Sequence, residues 1–184
     1  MKLLKNPVFA VFLAIVVVIS STLINTNVKL GRKCRAVSDL FYEGVTAAGY
    51  TRPSVASHLE NISGFADGLA AIAHNNGVDA EEVEQYVDML RGSVSSGDMF
   101  LIRSNYNSLL SALTKLVDAL ERATLDERDA SGVEQYKSSL AGAQSAIGES
   151  GYNEAVRDFL RSYDRFPSRQ LGAAAGVHMP ETFN

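Results

Sequence analysis

The chain contains three histidines, the side chains that most often bind metals or transfer protons near neutral pH. His58 and His74 are sixteen residues apart, and His178 lies in the last ten residues. No HExxH spacing links them, and Cys34 is the only cysteine, so no cysteine pair completes a ligand set. We therefore predict surface or helix-capping histidines, with His74 in the last turn of a helix, and we expect no metal and no other cofactor.

Four acidic residues form a second group with possible chemistry. They lie within eight positions of one another: Glu81, Glu82, Glu84 and Asp88. Carboxylates bind cations, but this spacing also matches the polar face of a short helix, and the Glu-x-x-His motifs of di-iron bundles are missing. We favour the solvated face. Because the sequence also lacks a Gly-rich phosphate loop, a GxSxG motif and a Cys/His dyad, we do not predict an enzyme.

Charge is distributed unevenly along the chain. Residues 1–35 contain six lysines and arginines and no acid, whereas residues 36–184 contain eleven basic and 21 acidic residues. An acidic domain lacks the basic surface that a phosphate backbone requires. The sequence therefore argues against nucleic-acid binding.

The most apolar stretch lies near the N-terminus. Val8 to Ile24 reads VFAVFLAIVVVISSTLI, seventeen residues of which fourteen are apolar and none is charged. A helix of this length measures about 26 Å, near the lower limit for crossing a bilayer core of about 30 Å. We predict a transmembrane anchor in residues 1–27, formed by Val8, Phe9, Phe12, Leu13, Ile15, Val16, Val17 and Ile19. A cleaved secretory signal competes with this interpretation, but no small-residue cleavage site follows the stretch.

Basic residues follow the apolar stretch at once. We call Lys29, Arg32, Lys33 and Arg35 the basic cluster. Such a cluster is expected to lie among anionic lipid head groups. With one apolar stretch, we expect a single-pass protein of the cell membrane. Only Lys2 and Lys5 precede the stretch, so the positive-inside rule favours a bundle on the cytoplasmic side. An extracytoplasmic bundle remains the alternative.

Apolar residues recur at helical spacing through residues 28–167. The clearest series alternates spacings of four and three, the heptad pattern of packed helices: Ile102, Tyr106, Leu109, Leu113, Leu116 and Leu120. Other stripes predict helices from the basic cluster to Gly49, from about Pro53 to His74, from Asp79 to Val94, and from Val133 to Phe166. We predict an all-α protein, in which the anchor helix continues into an antiparallel, up-down bundle of long helices of the four-helix type.

The last predicted helix contains Gly148 and Gly151, where we expect a bend or tight packing. Its aromatic residues fall at core spacing, so we favour burial over partner binding for Tyr152, Phe159, Tyr163 and Phe166. The tail that follows, residues 168–184, is rich in small residues and is expected to bury little. A mobile terminus is the favoured interpretation, and a contact segment is the alternative.

The same region resembles a known family. A Tyr-Asn pair opens a helix with aromatic spacing, and Arg165-Phe166-Pro167 ends it. The chain also has an apolar N-terminal helix that runs into a bundle, and together these features resemble a divergent member of the LemA family. The positions that match the family signature are Tyr152, Asn153, Ala155, Val156, Phe159, Phe166 and Pro167. Motif-level similarity covers about residues 100–172, while the chain lacks tryptophan and the family's aromatic-rich tail motif. The resemblance implies a membrane-anchored antiparallel bundle whose biochemical role is unsettled.

Two functions remain open on the sequence. The first is a non-enzymatic, membrane-anchored scaffold or docking module whose partners are the lipid bilayer and other membrane-associated proteins. The second is an extracytoplasmic sensory or ligand-binding bundle with a cavity between helices near Gly148 and Gly151. We favour the first, because a bundle without a recognisable relay domain signals only through a partner.

Overall fold

A computed structural model of the chain describes residues 7–47, 50–164 and 180–183. The elements are two short strands and six helices: α1 (Pro7–Tyr42), β1 (Val45–Ala47), β2 (Tyr50–Arg52), α2 (Val55–Asn75), α3 (Glu81–Ser96), α4 (Met99–Arg122), α5 (Glu127–Glu149) and α6 (Tyr152–Tyr163). The predicted helical bundle is confirmed.

Helices α2, α3, α4 and α5 close a four-membered ring, in which each helix packs against the next and α5 returns to α2. The direction of the α3–α4 pair follows from its contacts. Lys115 Nζ lies 2.9 Å from a Glu82 carboxylate oxygen, and the Asn105 side chain donates a hydrogen bond to the Met89 carbonyl at 3.0 Å. Since the later residue on α4 meets the earlier one on α3, the pair is antiparallel, as the two-residue connection requires.

The ring encloses the core that the helical stripes predicted. All six residues of the heptad series on α4 are buried, with exposed fractions of 4% or less. The stripe on α2 is buried as well: Val55, Leu59, Ile62, Ala66, Leu69 and Ile72. Side-chain caps fix where the helices begin, because Ser54, Asp98 and Asp126 each accept a hydrogen bond from a first-turn N–H.

Helices α1 and α6 form a second antiparallel pair. Lys33 Nζ of α1 donates to Ser162 Oγ of α6 at 2.6 Å, and the rings of Phe41 and Tyr152 lie 5.6 Å apart. From Leu30 onward one face of α1 is part of the core, where Leu30, Val37 and Phe41 are buried. The expected continuity of the N-terminal helix with the bundle is therefore present.

The first bundle helix is shorter than predicted. It ends at Tyr42 instead of Gly49, and β1 pairs with β2 in an antiparallel hairpin in the register Val45 to Arg52. Gly44, between α1 and β1, has φ +74°, and a Cβ there would overlap the Arg52 carbonyl oxygen. Strands of three residues contain too little alternation to be recognised in a sequence. Gly49 lies outside the described residues.

The predicted last helix is two helices. Helix α5 ends at Glu149, Gly151 takes the left-handed conformation with φ +78°, and α6 begins at Tyr152. Where a bend or tight packing was expected, the helix ends at Gly151, because a residue in the left-handed conformation does not continue an α-helix. The predicted end of the helix at Phe166 lies outside the described residues.

Candidate functional site

His58 lines a cavity of about 320 Å³, whereas His74 and the acidic group lie at the surface of the described part of the chain. His74, in the last turn of α2, has Nε2 2.8 Å from Glu84 Oε1, and both side chains are about half exposed. Glu82 pairs with Lys115 across the α3–α4 contact. His58 is partly buried, and Glu81 and Asp88 are exposed. Among the described residues, no group of three or more His, Cys, Asp or Glu side chains could hold a metal ion, and His178 lies outside that part of the chain.

The predicted anchor residues fall on α1. Leu13, Val16 and Val17 have exposed fractions of 44%, 41% and 59%, and further large apolar side chains are exposed at Val18, Ile24 and Val28. The side chains of the remaining anchor positions lie outside the described part: Val8, Phe9, Phe12, Ile15 and Ile19. In the part of the chain that the structure describes, no helix meets the length and apolarity needed to cross a membrane.

The basic cluster lies just after these apolar residues. Lys29, Arg32, Lys33 and Arg35 are all exposed, and Lys33 reaches α6 through its hydrogen bond to Ser162. Four cationic groups therefore face solvent along one and a half to two turns of α1.

The most developed site surrounds Phe183. Pro180 and Phe183 are buried, and the Phe183 ring has an exposed fraction of 2%. Its centroid lies 5.9 Å from that of Phe41, 5.8 Å from Tyr106 and 5.8 Å from Tyr152. The prediction that the tail buries little is therefore wrong for this segment, because an aromatic hollow formed by α1, α4 and α6 accepts its ring. Residues 168–179 and 184 lie outside the described part.

Asn153 holds the main chain of the same residue. Its Oδ1 accepts a hydrogen bond from the Phe183 N–H at 2.8 Å, and its Nδ2 donates to the Phe183 carbonyl. The Asn153 side chain is buried, with an exposed fraction of 7%. One buried side-chain amide therefore binds both the N–H and the carbonyl of a single residue, as the main chain of a neighbouring β-strand does.

The rim of the site is charged. Arg103 Nη1 of α4 lies 2.6 Å from Glu181 Oε2, in a pair that is partly exposed on both sides. Burial raises the pKa of Tyr152 above its usual value, and the negative charge of Glu181 and the proximity of Tyr42 raise it further. The Tyr152 ring therefore stays neutral well into the alkaline range. We call Phe41, Arg103, Tyr106, Tyr152 and Asn153 the Phe183 slot.

A cleft of about 370 Å³ adjoins the slot. It is lined in part by Phe183 and Asn153, and beyond them by Gln144, Gly148 and Arg157. The cleft lies beside Gly148, where the ligand-binding alternative expected a cavity, whereas Gly151 is not among its lining residues.

The signature positions contribute to the slot unequally. Tyr152, Asn153, Val156 and Phe159 are buried, so the prediction that Tyr152 and Phe159 belong to the core is confirmed, as it is for Tyr163. Ala155 is half-buried, and Phe166 and Pro167 lie outside the described residues. Sequence reasoning missed the roles of Arg103, Glu181 and Phe183. The available signal was Asn153 itself, a polar residue on the apolar face of an amphipathic helix.

Comparison of the chain with protein-family models, with curated proteins and with solved structures finds no match in any of the three. Fold and site therefore define a class only: an antiparallel helical bundle with an apolar N-terminal helix and an aromatic slot that holds a segment of its own tail. The LemA resemblance stays a prediction.

Proposed function

We propose that the protein is a non-enzymatic, single-pass membrane protein of the LemA type, whose bundle serves as a docking module for other membrane-associated proteins. One observation carries the proposal. Helix α1 is continuous from Pro7 to Tyr42; one face of its last third is buried in the bundle, and its preceding part exposes large apolar side chains. Such exposure is costly in water and favourable in lipid.

The charge pattern along α1 supports the membrane placement. Lys5 and Lys29 enclose residues 6–28, which contain no charged residue. The apolar stretch within it, Val8 to Ile24, is about 26 Å long as a helix, near the lower limit for a hydrocarbon core of about 30 Å. Cations at both ends would then meet lipid head groups, with the larger number on the bundle side. This asymmetry favours a cytoplasmic bundle.

The docking role follows from what the rest of the molecule offers. Residues 36–184 are strongly acidic, with 21 acidic against eleven basic residues, and the ion pairs among the described residues lie at the surface. An acidic bundle held close to the bilayer favours partners whose overall surface is basic or amphipathic, while a single carboxylate on such a partner can still pair with an arginine of the bundle.

Extraction of membranes at alkaline pH tests the anchor. The full chain is expected to stay in the membrane pellet. Replacing Val16 and Val17 with arginine should release it, because each charge at the centre of a membrane helix costs about 2.5–3.5 kcal/mol. Val16→Leu with Val17→Leu is the matched control and should stay with the membrane. Equal release of the full chain, the arginine variant and the leucine variant would contradict the anchor proposal.

The cleft beside the Phe183 slot keeps the ligand-binding alternative testable. About 370 Å³ lined by Gln144, Asn153 and Arg157 is within the size range of small-molecule sites. A saturable rise in melting temperature with a small anionic ligand, lost in Arg157→Ala, would favour the alternative. No shift across a ligand panel would favour the docking role.

A further inference from the structure

We propose that the Phe183 slot is a docking site for a partner peptide that presents a carboxylate two residues before an aromatic ring, and that the chain's own Glu181–Phe183 segment occupies the slot until such a peptide displaces it. The inference rests on the proposed docking role and names the place and the partner chemistry.

The first argument is that the slot makes three different kinds of contact with the segment. Phe41, Tyr106 and Tyr152 surround a single inserted ring, Asn153 binds the main chain of that residue, and Arg103 pairs with a carboxylate at the rim. A buried aromatic anchor, main-chain hydrogen bonds and a charged rim are the parts by which proteins bind peptides. The slot itself contacts the ring and the carboxylate as side chains and the rest as main chain, so another segment with the same pair at the same spacing would fit.

The second argument is that the slot requires an occupant. Asn153 has an exposed fraction of 7%. In the described part of the chain, its Oδ1 and its Nδ2 both form their hydrogen bonds with the main chain of Phe183. A buried amide is costly without partners. If the segment leaves, an incoming main chain restores both hydrogen bonds, and this lowers the cost of exchange.

The third argument is the space beyond the segment. The cleft of about 370 Å³ continues from Phe183 past Gln144, Gly148 and Arg157. The chain's own segment fills the aromatic hollow and leaves this cleft open. A partner peptide longer than three residues would gain contacts there that the resident segment does not make, and the Arg157 guanidinium favours a further acidic group.

The experiment is a peptide titration of the full chain in detergent micelles. The probe is a synthetic peptide with the sequence of residues 176–184, and the signal is the NMR resonance of the Asn153 side-chain amide. The titrated proteins are wild type and Phe183→Ala, which empties the hollow. We expect Phe183→Ala to bind the peptide at about 1 mM or below, and wild type to need at least about tenfold more peptide because its own segment competes.

Two controls test the contacts. A peptide with alanine in place of its phenylalanine should fail to shift the Asn153 resonance. Glu181→Ala, which keeps the ring and removes only the pair with Arg103, should bind at a peptide concentration between those of wild type and Phe183→Ala. This variant also serves if Phe183→Ala loses its helical circular dichroism.

Three results would overturn the proposal. The first is an unchanged Asn153 resonance in a folded variant at about 10 mM peptide. The second is equal binding to wild type and variant, which places the peptide elsewhere. The third is a wild-type dimer that the peptide dissociates, which assigns the slot to the tail of a second copy. Because membrane extraction does not involve the slot, loss of this inference leaves the anchor proposal standing or falling separately.

Discussion

Five aromatic rings meet where the end of α1, α4, the start of α6 and the tail come together. Phe41 contacts Tyr42, Tyr152 and Phe183, and Phe183 also contacts Tyr106 and Tyr152. Each such pair is worth about 0.5–1.5 kcal/mol beyond its buried area. At the residue scale, the cluster therefore joins α1, α4, α6 and the tail through rings, while Asn153 fixes the register of the tail.

Burial makes this cluster sensitive to alkaline pH. The pKa values of Tyr106 and Tyr152 are raised above 10.0 in the folded chain, so the unfolded chain releases these protons first. The stability they contribute is fully present below pH 10 and is lost as pH rises further. Tyr152→Phe should reduce that loss, measured as the melting temperature at several pH values between about 8 and 11. Tyr86→Phe, outside the cluster, is the matched control, and an alkaline loss in Tyr152→Phe equal to that of wild type would contradict the account.

At the scale of elements, α4 packs mainly against α3 and also reaches α2 and α5, and its heptad face is buried. Leu113 lies in the middle of that face with an exposed fraction of 3%. Leu113→Ala should lower the free energy of unfolding by about 2–5 kcal/mol, because it removes buried methyl groups and leaves a cavity.

Chemical denaturation of the full chain in detergent micelles measures this effect. Thr114→Ala, one position on and exposed, should change stability by no more than about 0.5 kcal/mol. Equal midpoints for Leu113→Ala and Thr114→Ala would show that α4 packs in a different register.

The connection from α1 to β1 depends on one glycine. Gly44→Ala would place a Cβ against the Arg52 carbonyl and 2.9 Å from the Ser54 nitrogen, with φ at +74°. We expect a loss of about 1–3 kcal/mol. Gly92→Ala, in α3 with nothing within 4 Å of the new Cβ, should instead gain up to about 1 kcal/mol. The same sign of change in both variants, measured by denaturation, would refute this view of the turn.

The sequence predicted the long elements because their signal is periodic and local. The stripes on α2 and α4 repeat over five turns or more, whereas the start predicted for the last long helix, Val133, lies inside α5, which begins at Glu127. The break at Gly151 was foreseen only as a disturbance, because a glycine lowers helix stability without dictating a left-handed turn.

The slot was beyond prediction for a different reason. Phe183 lies 30 residues from Asn153 along the chain, and much farther from Phe41, so its burial depends on tertiary contacts that no local pattern encodes. A lone aromatic residue in a tail of small residues predicts a mobile end equally well. The role of Asn153, which is to bind the main chain of Phe183, becomes clear only from the position of the tail in the structure.

At the scale of the whole molecule, α1 is both the apolar segment and a wall of the core. From Val28 to Tyr42 it is about 21 Å long, and a continuous helix of this length acts as a stiff spacer. If residues 6–28 lie in a bilayer, the bundle and its slot are held at a fixed short distance from the head groups. A partner must then reach the slot from the same side of the membrane as the bundle.

The side of the membrane is therefore the measurement that tests the central claim most directly. Ser96, exposed in the last turn of α3, is replaced by cysteine in a Cys34→Ser background, and intact and lysed cells are treated with a membrane-impermeant maleimide. The account predicts labelling only after lysis, with the bundle in the cytoplasm. Labelling of Ser96→Cys in intact cells would contradict it and favour the extracytoplasmic ligand-binding alternative.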